Sequence, residues 1–159
     1  MIRAATPADL PVILELIREL ATYERESDAV TATEPDLSAA LFAGQPHVWC
    51  HLAEVNGEVA GFAVWFLNFS TWVGRHGIYL EDLYVRPQHR GTGIGLALLR
   101  TLAARAAERG YGRVEWAVLD WNAPSIDFYR RAGAVPMDEW TVFRLTGDAL
   151  VDFAASPAS

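Results

Sequence analysis

A glycine-rich stretch, Arg90-Gly91-Thr92-Gly93-Ile94-Gly95, carries the clearest chemical signal in this sequence of 159 residues. It stands between an apolar segment with strand character and a long amphipathic segment with helix character. Glycines let a backbone approach a ligand closely, and the first turn of a helix presents unpaired N–H groups and a positive dipole end. The stretch therefore predicts an anion site, most naturally one for a pyrophosphate.

Other known phosphate loops do not fit this stretch. All 13 basic residues are arginine and the sequence contains no lysine, which excludes Walker-type loops and enzymes that hold pyridoxal phosphate through a Schiff base. A dinucleotide fingerprint would need a third glycine where Leu96 or Leu98 stands. The pattern that remains is Arg-x-x-Gly-x-Gly, formed by Arg90, Gly93 and Gly95.

A second informative stretch runs from Asn122 to Tyr129. Asn122 is a plausible helix cap, and Pro124 suits the first turn. Ser125 and Tyr129 are four residues apart and so share one helix face. The Tyr129 hydroxyl is protonated at neutral pH and suits a general acid, although an aromatic core residue fits the spacing equally well.

The composition bounds the class of protein. A net charge of −7 argues against a nucleic-acid partner and fits a cationic ligand, while charge alone favours a solvated acidic surface that only aids solubility. Cys50 is the only cysteine, so no internal disulfide forms. We expect no metal site, no membrane span, no signal peptide and a cytoplasmic location.

The apolar periodicity predicts one α/β domain over residues 1–159, with a mixed sheet flanked by helices. Asn56-Gly57 predicts a hairpin between its first long strands. Predicted strands are 2–4, 47–55, 58–67, 78–85, 114–119 and 140–145, with an aromatic loop at 68–77. Predicted helices start near Thr6, Thr33, Gly95, Asn122 and Asp148.

Arg-x-x-Gly-x-Gly after the strand Tyr79–Val85 resembles the acetyl-CoA loop of the GNAT superfamily of N-acetyltransferases. That likeness implies a mostly antiparallel sheet splayed at the acetyl-CoA site by a bulge. Further matches, such as Asn122-x-Pro124-Ser125-x-x-x-Tyr129 and Tyr79-Leu80-Glu81-Asp82, resemble the spermidine/spermine (diamine) N-acetyltransferase branch. They extend over nearly the whole chain.

The resemblance assigns roles to residues of this sequence. Tyr129 would be the general acid for the CoA thiolate, and Glu81 would accept the proton of the substrate ammonium. Glu81 and Asp82 are strand neighbours, so a regular strand would point them to opposite faces. Cofactor contacts would come from Leu83, Tyr84, Val85, Arg90, Gly91, Thr92, Gly93, Ile94, Gly95, Leu96, Asn122 and Ser125. Acceptor contacts would come from Tyr23, Glu24, Trp72, Asp82, Glu139 and Trp140.

Three functions follow from these patterns. The leading hypothesis is direct acetyl transfer from acetyl-CoA to a primary amine of a small cation, either a polyamine, a diamine or a thialysine-like amino acid. Acetylation of a protein N-terminus or lysine, and a non-catalytic acetyl-CoA sensor, are the alternatives. The resemblance also implies a homodimer.

Overall fold

The computed structural model describes residues 1–155 and contains five strands and five α-helices within them. The strands are β1 (Ile2–Ala4), β2 (Val48–Val55), β3 (Glu58–Ser70), β4 (Arg75–Val85) and β5 (Val114–Glu115). The helices are α1 (Leu10–Tyr23), α2 (Glu34–Phe42), α3 (Ile94–Glu108), α4 (Ala123–Arg131) and α5 (Gly147–Ala155). None of these helices is long and apolar enough to cross a membrane.

The chain divides into two compact units. The first, Met1–Asn122, holds all five strands and α1 to α3, and the second begins at Ala123 and holds α4 and α5. The sheet of the first unit has the order β1-β2-β3-β4-β5, antiparallel throughout except for the parallel pair β4–β5. Asn56 and Gly57 turn the β2–β3 hairpin with φ values of 52° and 84°, as their sequence predicts.

A bulge interrupts β4 where the candidate carboxylates lie. Val64 of β3 stands opposite Asp82, but the next residue, Trp65, stands opposite Leu80, so Glu81 is the extra residue. The β4–β5 ladder ends at the pair Tyr79–Glu115, just before this bulge. Since a bulge bends and twists its strand, β4 and β5 separate from here onward. The expected splayed, mostly antiparallel α/β sheet is confirmed.

Helices cover both faces of this sheet. Leu16 of α1 and Leu41 of α2 pack with Phe62 and Val64 on one face. Arg105 of α3 lies over the ring of Trp65, and because successive strand residues point to opposite faces, α3 covers the other one. We call the side covered by α1 and α2 the α1 face.

Three predicted segments differ from the structure. The predicted strand 114–119 ends at Glu115, because β4 bulges away from any further partner. The predicted loop 68–77 shrinks to a turn at residues 71–74, since Asn68 still pairs with Gly77. The predicted strand 140–145 does not form within the described chain: the segment has no ladder partner there, and an isolated strand is unstable.

Candidate active site

The glycine loop adopts the conformation that an anion site needs. Gly91 and Gly93 have φ values of 76° and 87°, a region that other L-residues enter only with strain. Gly93 is the N-cap of α3 and supplies no side-chain cap, so the first N–H groups of Ile94, Gly95 and Leu96 point out of the helix end. This cradle fits the pyrophosphate of a nucleotide cofactor.

Arg90 braces the loop against the end of β4. Its Nε donates to the carbonyl oxygen of Val85 over 2.8 Å, and its guanidinium lies 4.8 Å from the ring centroid of Tyr23 and 5.4 Å from that of Tyr84. Thr92 closes the loop by donating its hydroxyl to the His89 carbonyl over 2.6 Å. Arg90 thus orients the loop through stacking and one backbone bond.

Tyr23, a predicted acceptor contact, lies beside Asn122, a predicted cofactor contact. Its hydroxyl donates to Asn122 Oδ1 over 3.1 Å, and Asn122 is 5% exposed. The ring of Tyr23 also meets that of Trp121, at 6.1 Å between centroids. The end of α1 is thereby tied to the segment that follows β5.

After the bulge, the backbone N–H and C=O groups of successive β4 residues point alternately toward β3 and away from it. Arg86 N–H donates to the Ala60 carbonyl of β3, and the Tyr84 carbonyl stands 2.5 Å from the position of a Cβ added to Gly61 of β3. Alternation in the ladder therefore directs the Leu83 and Val85 backbone groups toward the opening beside β4. The Tyr84 carbonyl points toward β3 and not toward this opening. Of the three predicted cofactor contacts on β4, the backbone groups of Leu83 and Val85 therefore face the opening.

The carboxylates at the bulge form an acidic cluster with Glu24. Burial, followed by the negative charges of Glu81 and Glu24, raises the pKa of Asp82 to about 7. Burial also raises the pKa of Glu24. Within residues 1–155, no ion pair joins these three side chains to an arginine. The bulge resolves the geometric conflict between Glu81 and Asp82, because it breaks the alternation that would separate them.

The second unit carries the remaining candidates. Ser125 and Tyr129 lie one turn apart on α4, where the Tyr129 ring packs on Phe128 at 5.2 Å between centroids. Gly133, with φ of 92°, follows this helix in the left-handed conformation that often ends helices. Glu139 and Trp140 lie on exposed backbone without regular structure. In the first unit, Trp72 sits on the exposed 71–74 turn, away from the bulge along β4.

Two further groups of residues, outside the predicted catalytic, cofactor and acceptor contacts, form contacts in the structure. Arg25, in a left-handed conformation with φ of 65°, lies 4.5 Å over the Trp121 ring. Asn68, Arg113 and Glu115 meet at the end of the sheet beyond the bulge. The polar alternation Arg113-x-Glu115, which begins one residue before the predicted apolar strand 114–119, was the available signal for the second group.

The sequence model of the acetyltransferase (GNAT) family matches residues 11–134. The chain belongs to the GNAT family. It is 41% identical to bovine thialysine N-ε-acetyltransferase over 97% of this chain and 96% of that protein. It is 35% identical to human spermidine/spermine N(1)-acetyltransferase-like protein 1 over 96% of this chain and 23% of that protein. These relatives agree with the expected branch of the GNAT family.

A solved structure supports the same placement. An integron cassette protein from the mobile metagenome of V. cholerae superposes with a TM-score of 0.82 and 28% identity, over 98% of each chain. The chain is therefore a GNAT N-acetyltransferase that takes its acetyl group from acetyl-CoA. The glycine loop before α3, with its two left-handed glycines and uncapped N–H groups, is the part of this structure that fits the CoA pyrophosphate.

Proposed function

We propose that this GNAT enzyme acetylates the terminal primary amine of a small cation, a diamine, a polyamine or a thialysine-like amino acid, by direct transfer. The observation that carries the proposal is the uncompensated acidic cluster of Glu24, Glu81 and Asp82 at the splay of the sheet. A cluster of carboxylates without a cation attracts a cationic ligand. The relative named as a thialysine N-ε-acetyltransferase supports an amine at the end of a side chain.

Deprotonation of the amine is the first chemical requirement. An alkyl ammonium with a pKa near about 10.4 is almost fully charged at neutral pH and is no nucleophile in that form. The carboxylates hold this ammonium, and one of them removes its proton. Asp82, with its pKa raised to about 7, is a stronger base than an ordinary carboxylate and is about half ionised at pH 7, which suits a general base. We assign this step to Asp82, with Glu81 orienting the ammonium, which reverses the roles expected from the resemblance.

Acetyl-CoA supplies an activated thioester. The freed amine attacks the carbonyl carbon, the carbon–sulfur bond breaks, the nitrogen loses its second proton to solvent, and the departing sulfur takes up a proton. Tyr129 is our proposed donor, because its hydroxyl is protonated at neutral pH. The proposed cofactor contacts are the backbone of Leu83 and Val85, the loop from Arg90 to Leu96, and the residues Asn122 and Ser125.

The experiment is CoA release from acetyl-CoA with putrescine, spermidine, thialysine, ornithine and a lysine-bearing peptide. Wild type is compared with Asp82→Asn, Glu81→Gln and Tyr129→Phe. We expect turnover of small amines, a larger loss in Asp82→Asn than in Glu81→Gln, and a loss in Tyr129→Phe. Preference for the peptide would favour a protein acetyltransferase, and acetyl-CoA binding without any turnover would favour a sensor.

We also propose a cytoplasmic homodimer without a nucleic-acid or membrane partner. The net charge of −7 disfavours nucleic acid. The second unit exposes several large apolar side chains that a partner subunit would cover, namely Val135, Met137, Val142 and Phe143. Light scattering tests the dimer, and a species of 17.5 kDa, the mass of one chain, would contradict it.

A further inference from the structure

A second charged group lies on the same sheet face as Asp82, beyond the bulge. Alternation from Val64 puts Asn68 on this α1 face, and pairing then puts Gly77, Tyr79 and Glu115 there too. The register that fixes this is Val64 opposite Asp82, Phe66 opposite Tyr79, Asn68 opposite Gly77, and Tyr79 opposite Glu115. Arg113, two residues before Glu115, shares its face.

These side chains form a small, tightly fitted cluster around Gly77. Asn68 Nδ2 donates to Glu115 Oε1 over 2.6 Å, and Arg113 Nη2 lies 3.1 Å from the same oxygen. A Cβ added to Gly77 would stand 2.6 Å from Asn68 Oδ1 and 3.0 Å from Arg113 Cγ. The absence of a side chain at Gly77 is therefore what lets the amide and the arginine stem lie flat over the strand. We call Asn68, Gly77, Arg113 and Glu115 the Gly77 shelf.

The charges of the shelf remain accessible to a ligand. The side chains of Arg113 and Glu115 are 44% and 37% exposed. Their contacts with each other and with Asn68 use one carboxylate oxygen and one guanidinium nitrogen. An adjacent guanidinium and carboxylate complement a zwitterion, whose carboxylate pairs with the former and whose ammonium pairs with the latter. Beneath these two side chains, Asn68 Oδ1 is buried and accepts no hydrogen bond.

The separation from the acidic cluster suits the length of a lysine-like molecule. Asp82 and Tyr79 are three residues apart on β4, roughly 10 Å along an extended strand and less across a bulge. Glu115 is the neighbour of Tyr79 on the adjoining strand. A separation of this size between the two backbones is comparable to the length of a short aliphatic chain. The negative charges of Glu81 and Glu115 both act on Tyr79, which lies between them.

We propose that Arg113 and Glu115 bind the α-carboxylate and α-ammonium of the acceptor, making the enzyme selective for ω-amino α-amino acids over diamines that lack the carboxylate. This inference rests on the proposed function, because it assumes that the side-chain amine of the same molecule lies at Asp82. The inference adds that the Gly77 shelf recognises the α-carboxylate and α-ammonium at the other end of that molecule. Glu115 would contact the second ammonium of either class, whereas only the amino acid brings a carboxylate to Arg113.

Two pairs of substrates that differ only in the carboxylate provide the test: ornithine against putrescine, and lysine against cadaverine. For Arg113→Gln we expect KM for each amino acid to rise about tenfold, the usual scale for one charge-assisted contact, with kcat nearly unchanged. KM for each diamine should stay within about twofold. Glu115→Gln should raise KM for all four substrates. Arg109→Gln, at the C-terminal end of α3, is the matched control and should change none of them.

The outcomes separate this inference from the proposed function. No wild-type turnover of any small amine would overturn the function itself. Turnover of diamines but not of amino acids, or equal effects of Arg113→Gln on both classes, would overturn only the role of the shelf. Thermal unfolding of each variant, compared with wild type, identifies a misfolded one. In that case Arg113→Met, which keeps much of the aliphatic stem over Gly77, replaces Arg113→Gln with the same expectations.

Discussion

Two carboxylate clusters of the first unit meet opposite electrostatic conditions. Near β1, Asp9 receives both Nη1 and Nη2 of Arg3 at 2.7 Å each, and Glu54 receives Nε at 2.7 Å. These bonds hold the pKa of Asp9 well below its usual range. At the bulge, Asp82 meets burial and two like charges, and its pKa rises to about 7. The first cluster is neutralised within the protein, whereas the second has no arginine paired with it in the described part of the chain, which leaves its charge for the proposed cationic ligand to neutralise.

The largest effect should come from removing the carboxylate at the bulge. Asp82→Asn keeps the shape of the side chain but cannot take a proton, so we expect kcat/KM for the best amine to fall by about a hundredfold or more. Stability should hold or rise, because one buried and repelled charge is removed. Steady-state kinetics and thermal unfolding together check this. A fully active Asp82→Asn variant would contradict the proposed role of the acidic cluster at the bulge in catalysis.

The corresponding change in the other cluster should affect folding instead. Asp9→Asn removes the charge of the carboxylate that holds Nη1 and Nη2 of Arg3 and leaves the partly buried guanidinium with Glu54 alone, so we expect the free energy of unfolding to fall by about 2 kcal/mol. The catalytic constants of the folded protein should not change. Urea denaturation measures the first effect and kinetics at low temperature the second. A loss of activity equal to that of Asp82→Asn would abolish the distinction between the two clusters.

The order of the elements could be predicted from local sequence patterns, whereas the bulge that carries the acidic cluster could not. Periodicity and turn residues predicted the order of the elements, because Asn56-Gly57 and Gly93 act through local backbone preferences. The bulge at Glu81 was expected only from the resemblance, since a one-residue slip depends on how β4 pairs with β3. For the same reason the premature end of β5 and the Gly77 shelf depend on contacts between distant segments, which no local pattern encodes.

The pH dependence of stability should separate the clusters further. The pKa of Asp82 is higher in the folded than in the unfolded state, so its contribution falls as pH rises from about 4 to about 7. The pKa of Asp9 is lower when folded, so its contribution is lost as pH falls below about 4. Unfolding free energies from pH 3 to 8 for wild type, Asp9→Asn and Asp82→Asn measure this. Asp82→Asn should flatten the curve between pH 4 and 7, and Asp9→Asn should flatten it at the acid end.

The smallest effect should come from Glu24, which acts on Asp82 only through its charge. Glu24→Gln removes one of the two like charges that raise the pKa of Asp82, so the acid limb of the kcat/KM profile should move to lower pH. We expect a shift of less than about one pH unit, because Glu24 is the last of the three causes and burial remains. The plateau above the limb measures any loss of acceptor binding separately.

Glu26→Gln is the matched control for this last variant, since Glu26 lies two residues away on the same segment and does not act on Asp82. Its profile should overlay that of wild type. A shift of the Glu24→Gln limb to higher pH would mean that Glu24 stabilises the ionised base, through water or an ordered cation. The carboxylates at the bulge would then be compensated as those near β1 are. An unshifted limb with a lower plateau would restrict Glu24 to holding the acceptor, and Glu81 alone would supply the charge effect.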